Sequence, residues 1–302
     1  MVTIRPACKA DIPAIVRAWQ VSLPYDEIAP HRLEAFFESP AYDPNVVLLA
    51  ESEEGVGALV IGVAGPQKVG YVPVFFVHPS HAHKDMGDHL LSRVLAHFGT
   101  KGLKSVKVEP FHPRAAFFTG IDRCYGELLG IPESNGFRRT DESQVDIVKD
   151  LTDYQMPDWV CQARLSLEHE GITFCPCGPG EKQTCLEFLM QRFPGYKGWI
   201  IDTERFVAGD GLPEKRMLAF CGAEMIGFVA IKKWEHWQIC QTGVRKDFRL
   251  RKIGSVLVHL ALEEARRDGE TRCYVYNCPI EFYRVLDGAV FRRYVMLGKE
   301  LV

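Results

Sequence analysis

The chain has 302 residues, about twice the usual domain size, so two domains are the starting expectation. Apolar residues make up 47% and charged residues 25%, a globular balance rather than a disordered or fibrous one. A net charge of −3 argues against a nucleic-acid partner and against polybasic attachment to a membrane.

The first residues carry Arg5, Lys9 and Asp11 without an apolar run, so they do not read as a signal peptide. Residues 2–5 read as a strand. Residues 11–20 read as a short amphipathic helix, with Asp11 as N-cap and Pro13 in the first turn. Residues 46–51 and 57–64 read as strands around the turn Glu53-Glu54-Gly55, and residues 71–77 as another. The longest apolar stretch, residues 58–65, is far too short to span a bilayer. Met86, Leu90, Leu91, Val94, Leu95 and Phe98 share one helical face, and Gly99 stops that helix. Residues 104–108 are the next strand.

Residues 158–170 read as a linker helix, after which the order recurs. A strand at 171–174 precedes a helix at 181–192, strands at 217–220 and 225–231 around Gly222, and a strand at 237–244. A helix at 254–267 then stops at Gly269. A strand at 273–277, a short helix at 282–286 and a closing strand at 292–301 finish the chain. Landmarks hold one register. Val77 and Val244, Gly87 and Gly254, and Val108 and Val275 each stand 167 apart, with Ile4 and Ile172 168 apart. The register breaks between Glu109 and Asn135, where the first half carries roughly 15 extra residues rich in Pro, Gly and aromatics, the mark of an ordered functional loop. The expected domains are therefore 1–150 and 151–302, the linker helix lying in about 151–171.

In both repeats a strand ends, a polar loop follows, and a helix opens at a glycine. A helix N-terminus presents free N–H groups and the positive end of a dipole, which suits phosphate. In the second repeat Arg245, Lys246, Arg249, Arg251 and Lys252 put five cations at that end, the wrong charge for the dipole unless a polyanion binds there or the loop is simply solvated. The order β-α-β-β-β-loop-α-β-α-β, with Val244…Arg249-Leu250-Arg251-Lys252-Ile253-Gly254 entering the long helix, resembles the GNAT acetyltransferase superfamily in tandem. The resemblance implies an α/β (α+β) fold class: two tandem GNAT folds, each a mixed, mostly antiparallel twisted sheet flanked by helices.

The resemblance also implies acetyl-CoA as co-substrate. Its pyrophosphate is expected on the loop amides of Arg249, Leu250, Arg251, Lys252, Ile253, Gly254 and Ser255, and its pantetheine along Thr242, Gly243 and Val244, where the sheet splays. Gly243 is expected to allow close approach of the pantetheine or acceptor, and Asn277 to hydrogen-bond the pantetheine. Lys252 stands where the family has its middle glycine. In the first repeat the family arginine falls at Ala82 and the middle glycine at Asp85, so that site reads as degenerate and structural.

Acetyl transfer needs a base for the amine, a donor for the thioester oxygen and an acid for the thiolate. The phrase from Asn277 through Phe282-Tyr283 to Gly288-Ala289 resembles the family's acid motif, which makes Tyr283 the acid candidate. Glu235 and His236 are the base candidates, with Glu281 a third; each also fits a polar residue of a hairpin or helix.

The histidines His78, His81, His83 and His89, and the group Cys161, Cys175, Cys177 and Cys185, have weak metal spacing, so no metal is expected. The other expectations are a cytoplasmic chain with reduced cysteines, no nucleic-acid or membrane partner, a monomer or homodimer, and a small amine or protein lysine as acceptor. The alternatives are an acyl-CoA sensor without turnover and a purely structural interaction module.

Overall fold

The computed structural model describes residues 2–81, 85–111, 117 and 119–301, with the side chains of 141–143 left aside; Ala82, His83 and Phe118 lie outside the described residues. In chain order the first half gives β1 (Thr3–Pro6), α1 (Ile12–Ser22), α2 (Pro30–Phe37), β2 (Val47–Ser52), β3 (Gly55–Ala64) and β4 (Val69–Val77). It continues with α3 (Met86–Thr100), β5 (Ser105–Val108), β6 (Ile121–Asp122), α4 (Gly130–Ser134) and β7 (Arg138–Asp150). Continuous apolar runs in β3 and β4 are buried because both α1 and α3 pack on these strands. The second half gives α5 (Asp158–His169), β8 (Ile172–Pro176), α6 (Lys182–Arg192), α7 (Lys197–Ala208), β9 (Glu214–Cys221) and β10 (Glu224–Lys233). It closes with β11 (Trp237–Val244), α8 (Ile253–Arg267), β12 (Arg272–Pro279), α9 (Ile280–Tyr283) and β13 (Ala289–Glu300).

The repeat reading leaves out α2, β6, α4, β7 and α7. Pro30 starts α2 in its first turn, a position where the missing N–H costs nothing. The helix α7 mixes polar and apolar residues and buries only Thr203 fully.

The contacts divide the chain into two units, residues 1–144 with 292–302, and residues 145–291. The sequence reading places 292–302 with the second repeat. The strand pairing places them in the first unit, because β13 pairs antiparallel with β5 through Leu297↔Val108 and Gly298↔Lys107. In the first unit the strand order is β1-β2-β3-β4-β5-β13, followed by the start of β7. In the second unit the end of β7 is followed by β12-β11-β10-β9-β8. Each sheet is thus completed by a strand from the other repeat.

Arg292, at the start of the first unit's part of β13, holds Asp26 through Nη1 and Nη2 at 2.8 Å each and also binds Asp122. In the second unit the sheet separates two cores. Ile226, Val229, Ile231, Trp237, Ile239, Cys273 and Val275 face α8. Leu218, Phe228 and Ala230 lie beneath Cys185, Phe188 and Leu189 of α6 and Trp199 of α7. All ten cysteines are free thiols. Among the described residues no helix is long and apolar enough to cross a membrane.

Candidate active site

The loop between β11 and α8 is built on two left-handed residues, Leu250 and Lys252, each at φ 64°. Lys252 is the N-cap of α8, with ψ 5° and no side-chain cap. Lys252 therefore takes the conformation that glycine favours. The first intrahelical bond here is from the Val256 N–H to the Lys252 carbonyl, 3.0 Å, so the N–H groups of Ile253, Gly254 and Ser255 have no acceptor within the helix.

The five cations divide into two sets. Arg245 is paired with Glu224 and Asp247, and Arg251 with Glu170. Arg249 spends its Nε on the Val244 carbonyl at 3.1 Å, which fixes its stem against the end of β11. Among the described residues Lys246, Arg249 and Lys252 have no carboxylate partner; Lys252 lies 5.9 Å above the Trp159 ring. Beside them a groove of about 870 Å³ is lined by Gln191, Arg192, Phe193, Arg245, Lys246, Asp247 and Arg249. Its charge is mostly positive and suits a polyanion.

Parallel β11 and β12 pair only at Gln238↔Tyr274 and Ile239↔Val275. Beyond that they part, because Asn277 turns to φ 50° and gives its N–H to the buried Asp146 Oδ1 at 2.8 Å. The register with β10 also slips: Ala230 faces Gln241 and Ile231 faces Ile239, leaving Cys240 as the extra residue of a bulge. The bulge reverses the alternation. Before it, Ile239 faces α8; after it, Val244 packs on the α8 side, and a side chain at Gly243 would face Phe193 and Phe228.

Tyr283, buried in α9, reaches the Thr242 hydroxyl at 3.1 Å on that α8 side. Burial raises its pKa above the ordinary tyrosine value, so it stays protonated. Gly254 lies in the same neighbourhood, where a Cβ would stand 3.0 Å from the Phe282 ring, a tight contact. The expected reason for Gly243 needs correction. A Cβ there would lie 2.7 Å from Phe228 and 3.0 Å from Phe193, so the missing side chain admits two aromatic rings rather than a ligand. Phe193 acts here as well, packed against Trp199 and Phe228.

Glu235 and His236 are exposed in the hairpin that precedes β11. Six residues of strand, about 20 Å, separate His236 from Thr242. His236 instead packs on Tyr274 at 5.4 Å and lies 3.5 Å from Glu270. The structure does not bring this pair to Tyr283, and Glu281 is exposed on α9. Sequence reasoning missed the polar pair that does lie at the strand's far end, Gln241 of β11 with Asp202 of α7, because it left α7 out. Cys175 and Cys177 pack against the α6 and α7 core, and among the described residues no group of three His, Cys, Asp or Glu is placed to hold a metal ion.

The first unit offers a comparison at several of these positions. Asp85, the counterpart of Lys252, is also left-handed, at φ 47°, before a helix of the same length. Ile131 fills the place of Phe282, since a Cβ on Gly87 would meet it at 2.6 Å, and Pro132 follows where Tyr283 follows Phe282. Pro73 stands where Cys240 stands, in a bulge where Ile61 faces Val74 and Val63 faces Tyr71. Proline has no N–H to offer there. Tyr125 is engaged elsewhere, accepting from the Tyr25 N–H at 3.0 Å. His81 is buried and hydrogen-bonded to Ser80 and Ser52.

Residues 183–285 match the model of the acetyltransferase (GNAT) family. No curated protein matches the sequence. Among solved structures, the chain is similar to the GCN5-related glucosamine N-acetyltransferase region of a fungal multi-domain GH3 β-N-acetylglucosaminidase, with TM-score 0.77 and 19% identity. That likeness covers 99% of this chain and 38% of the fungal one, so the chain spans well under half of that relative's length. A GCN5-related N-acetyltransferase from Sphaerobacter thermophilus is similar at TM-score 0.70 and 18% identity, covering 99% of this chain and 95% of that one. A tandem GNAT protein of the clavulanic acid biosynthesis pathway is similar at TM-score 0.63 and 13% identity, covering 99% and 98%.

Proposed function

We propose that this chain, a protein of two tandem GNAT folds whose second matches the acetyltransferase family, is an N-acetyltransferase that moves an acetyl group from acetyl-CoA to a primary amine. The observation that carries the reading is the junction of three features at the end of β11. The strands splay at Asn277, Tyr283 stands on Thr242 beside the opening, and an uncapped helix N-terminus follows within ten residues.

The donor fits these residues. The N–H groups of Ile253, Gly254 and Ser255 would take the pyrophosphate, with Lys246, Arg249 and Lys252 neutralising it. The amine nitrogen attacks the thioester carbonyl carbon, the C–N bond forms and the C–S bond breaks. Tyr283 gives its proton to the departing sulfur. Direct transfer is favoured over a covalent enzyme intermediate, because burial pushes the Cys240 and Cys278 thiols up to about 12 and leaves no thiolate at neutral pH. The first unit lacks the tyrosine and carries Pro73 at the bulge, so it serves as a partner fold rather than a second reaction centre.

The test is a calorimetric CoA titration with thiol release from acetyl-CoA in the presence of D-glucosamine, spermidine, kanamycin or an N-terminally blocked lysine. One binding site and release with at least one amine are expected. Arg249→Glu should weaken CoA about tenfold or more, and Asp88→Lys at the first unit's helix should leave it unchanged. CoA binding without thiol release would favour a sensor, and no binding would defeat both readings.

A further inference from the structure

The amide of Gln241, on the α6 and α7 side of β11, is only half satisfied among the described residues. Gln241 is 2% exposed. Its Nε2 donates to Asp202 Oδ2 at 3.2 Å, and that carboxylate, an acceptor only, fixes which end of the amide is nitrogen. Its Oε1 is buried without a donor among the described residues. A buried carbonyl oxygen without a donor costs on the order of 1–3 kcal/mol and calls for an explanation.

The same Asp202 oxygen also meets Lys232 Nζ at 3.0 Å, and the Asp202 side chain keeps 39% exposure. Gln241 and Thr242 are neighbours on one strand and project to opposite faces. The Tyr283 acid therefore lies on one face of the splayed strand end, and the Gln241–Asp202 pair lies on the other.

We infer that Gln241 and Asp202 form the amine end of the acceptor site, taking a primary amine as its ammonium form. This rests on the acetyltransferase reading. An ammonium group carries three donors and no acceptor, which matches Gln241 Oε1 and the Asp202 carboxylate together. Attack then comes from the α7 face, while the sulfur leaves toward Tyr283 on the α8 face. The ammonium first gives one proton to solvent through Asp202. The nitrogen forms its bond to the carbonyl carbon and loses a second proton by the same route as the C–S bond breaks, and the Tyr283 phenolate recovers its proton from solvent. The role of the base, sought in Glu235 and His236, passes to Asp202.

The test measures steady-state kinetics of the full chain with the amine from the panel above that gives the fastest thiol release, and CoA affinity by calorimetry. Gln241→Met keeps the volume and removes the acceptor. Asp202→Asn removes the charge, and Lys232 retains Glu214 at 3.4 Å. Each should raise the KM for the amine tenfold or more and leave the CoA Kd within about twofold; Asp202→Glu should recover part of the loss. Unchanged amine KM in both variants with an active wild type would overturn this inference and leave the acetyltransferase reading standing. A wild type that releases no thiol with any amine would bring down both. Should Asp202→Asn fail to fold, Gln241→Met alone decides.

Discussion

Asp85 and Lys252 hold the same place in the two units, each a left-handed residue that caps a fifteen-residue helix and stands two positions before a glycine in close contact with the next element. Opposite charges occupy one conformation. Both residues take the left-handed conformation, and among the described residues the cations that suit an anion, Lys246, Arg249 and Lys252, stand at the second turn.

Lys252 bears the cost of a positive φ, about 1–2 kcal/mol for a residue with a Cβ. Lys252→Gly should therefore match or exceed wild-type stability. Lys252→Val, branched at Cβ, should lower it by roughly 1–3 kcal/mol. Guanidinium midpoints check this, and equal midpoints for all three would refute the assignment of strain to this position.

Tyr283→Phe should lower kcat at least a hundredfold with little change in CoA affinity, because the hydroxyl acts on the leaving sulfur and not on the pyrophosphate. Burial raises the Tyr283 pKa, so in the wild type its loss of activity at high pH should come above the ordinary tyrosine range near 10. A wild-type alkaline limb well below 10 that vanishes in the Phe variant would contradict this.

Gly254→Ala would put a methyl 3.0 Å from the Phe282 ring and press on the residue beside Tyr283. A loss of about 1–3 kcal/mol in stability is expected. Phe282→Leu in the same chain should restore most of it. A double-mutant cycle measures the coupling, and strict additivity would show that the ring is not the obstacle.

The thiols of Cys240, Cys273 and Cys278 are pushed by burial from 9.0 up to about 12. Between those values the unfolded chain gives up these protons while the folded chain keeps them. The unfolded state then binds fewer protons, and stability falls as pH rises from about 9. Melting temperatures under reducing conditions from pH 8 to 11 should decline across that window; a rise would reverse the assignment.

Much of this site was legible in the order of residues. The strand 237–244, the helix after it and Tyr283 carry strong periodicity or a motif, and the structure sets them side by side. Glu235 and His236 stand apart from Tyr283 because nearness in sequence along an extended strand is distance in space. Gln241 could not be singled out, since its meaning lies in an oxygen without a donor, and only packing reveals that. Pro73 was visible all along as a proline inside an apolar run, and its value appears once its register matches Cys240.

Arg292 and β13 bear on how the protein is made. Strands β1 to β5 leave the ribosome early, but the edge of β5 stays bare until Leu297 and its neighbours are synthesised. An open strand edge invites pairing with other chains, and a contact between residues so far apart in sequence forms slowly. The first half thus passes through translation as an unfinished sheet. Its vulnerable interval, in which chaperones would matter most, lasts until nearly the whole second half has been made.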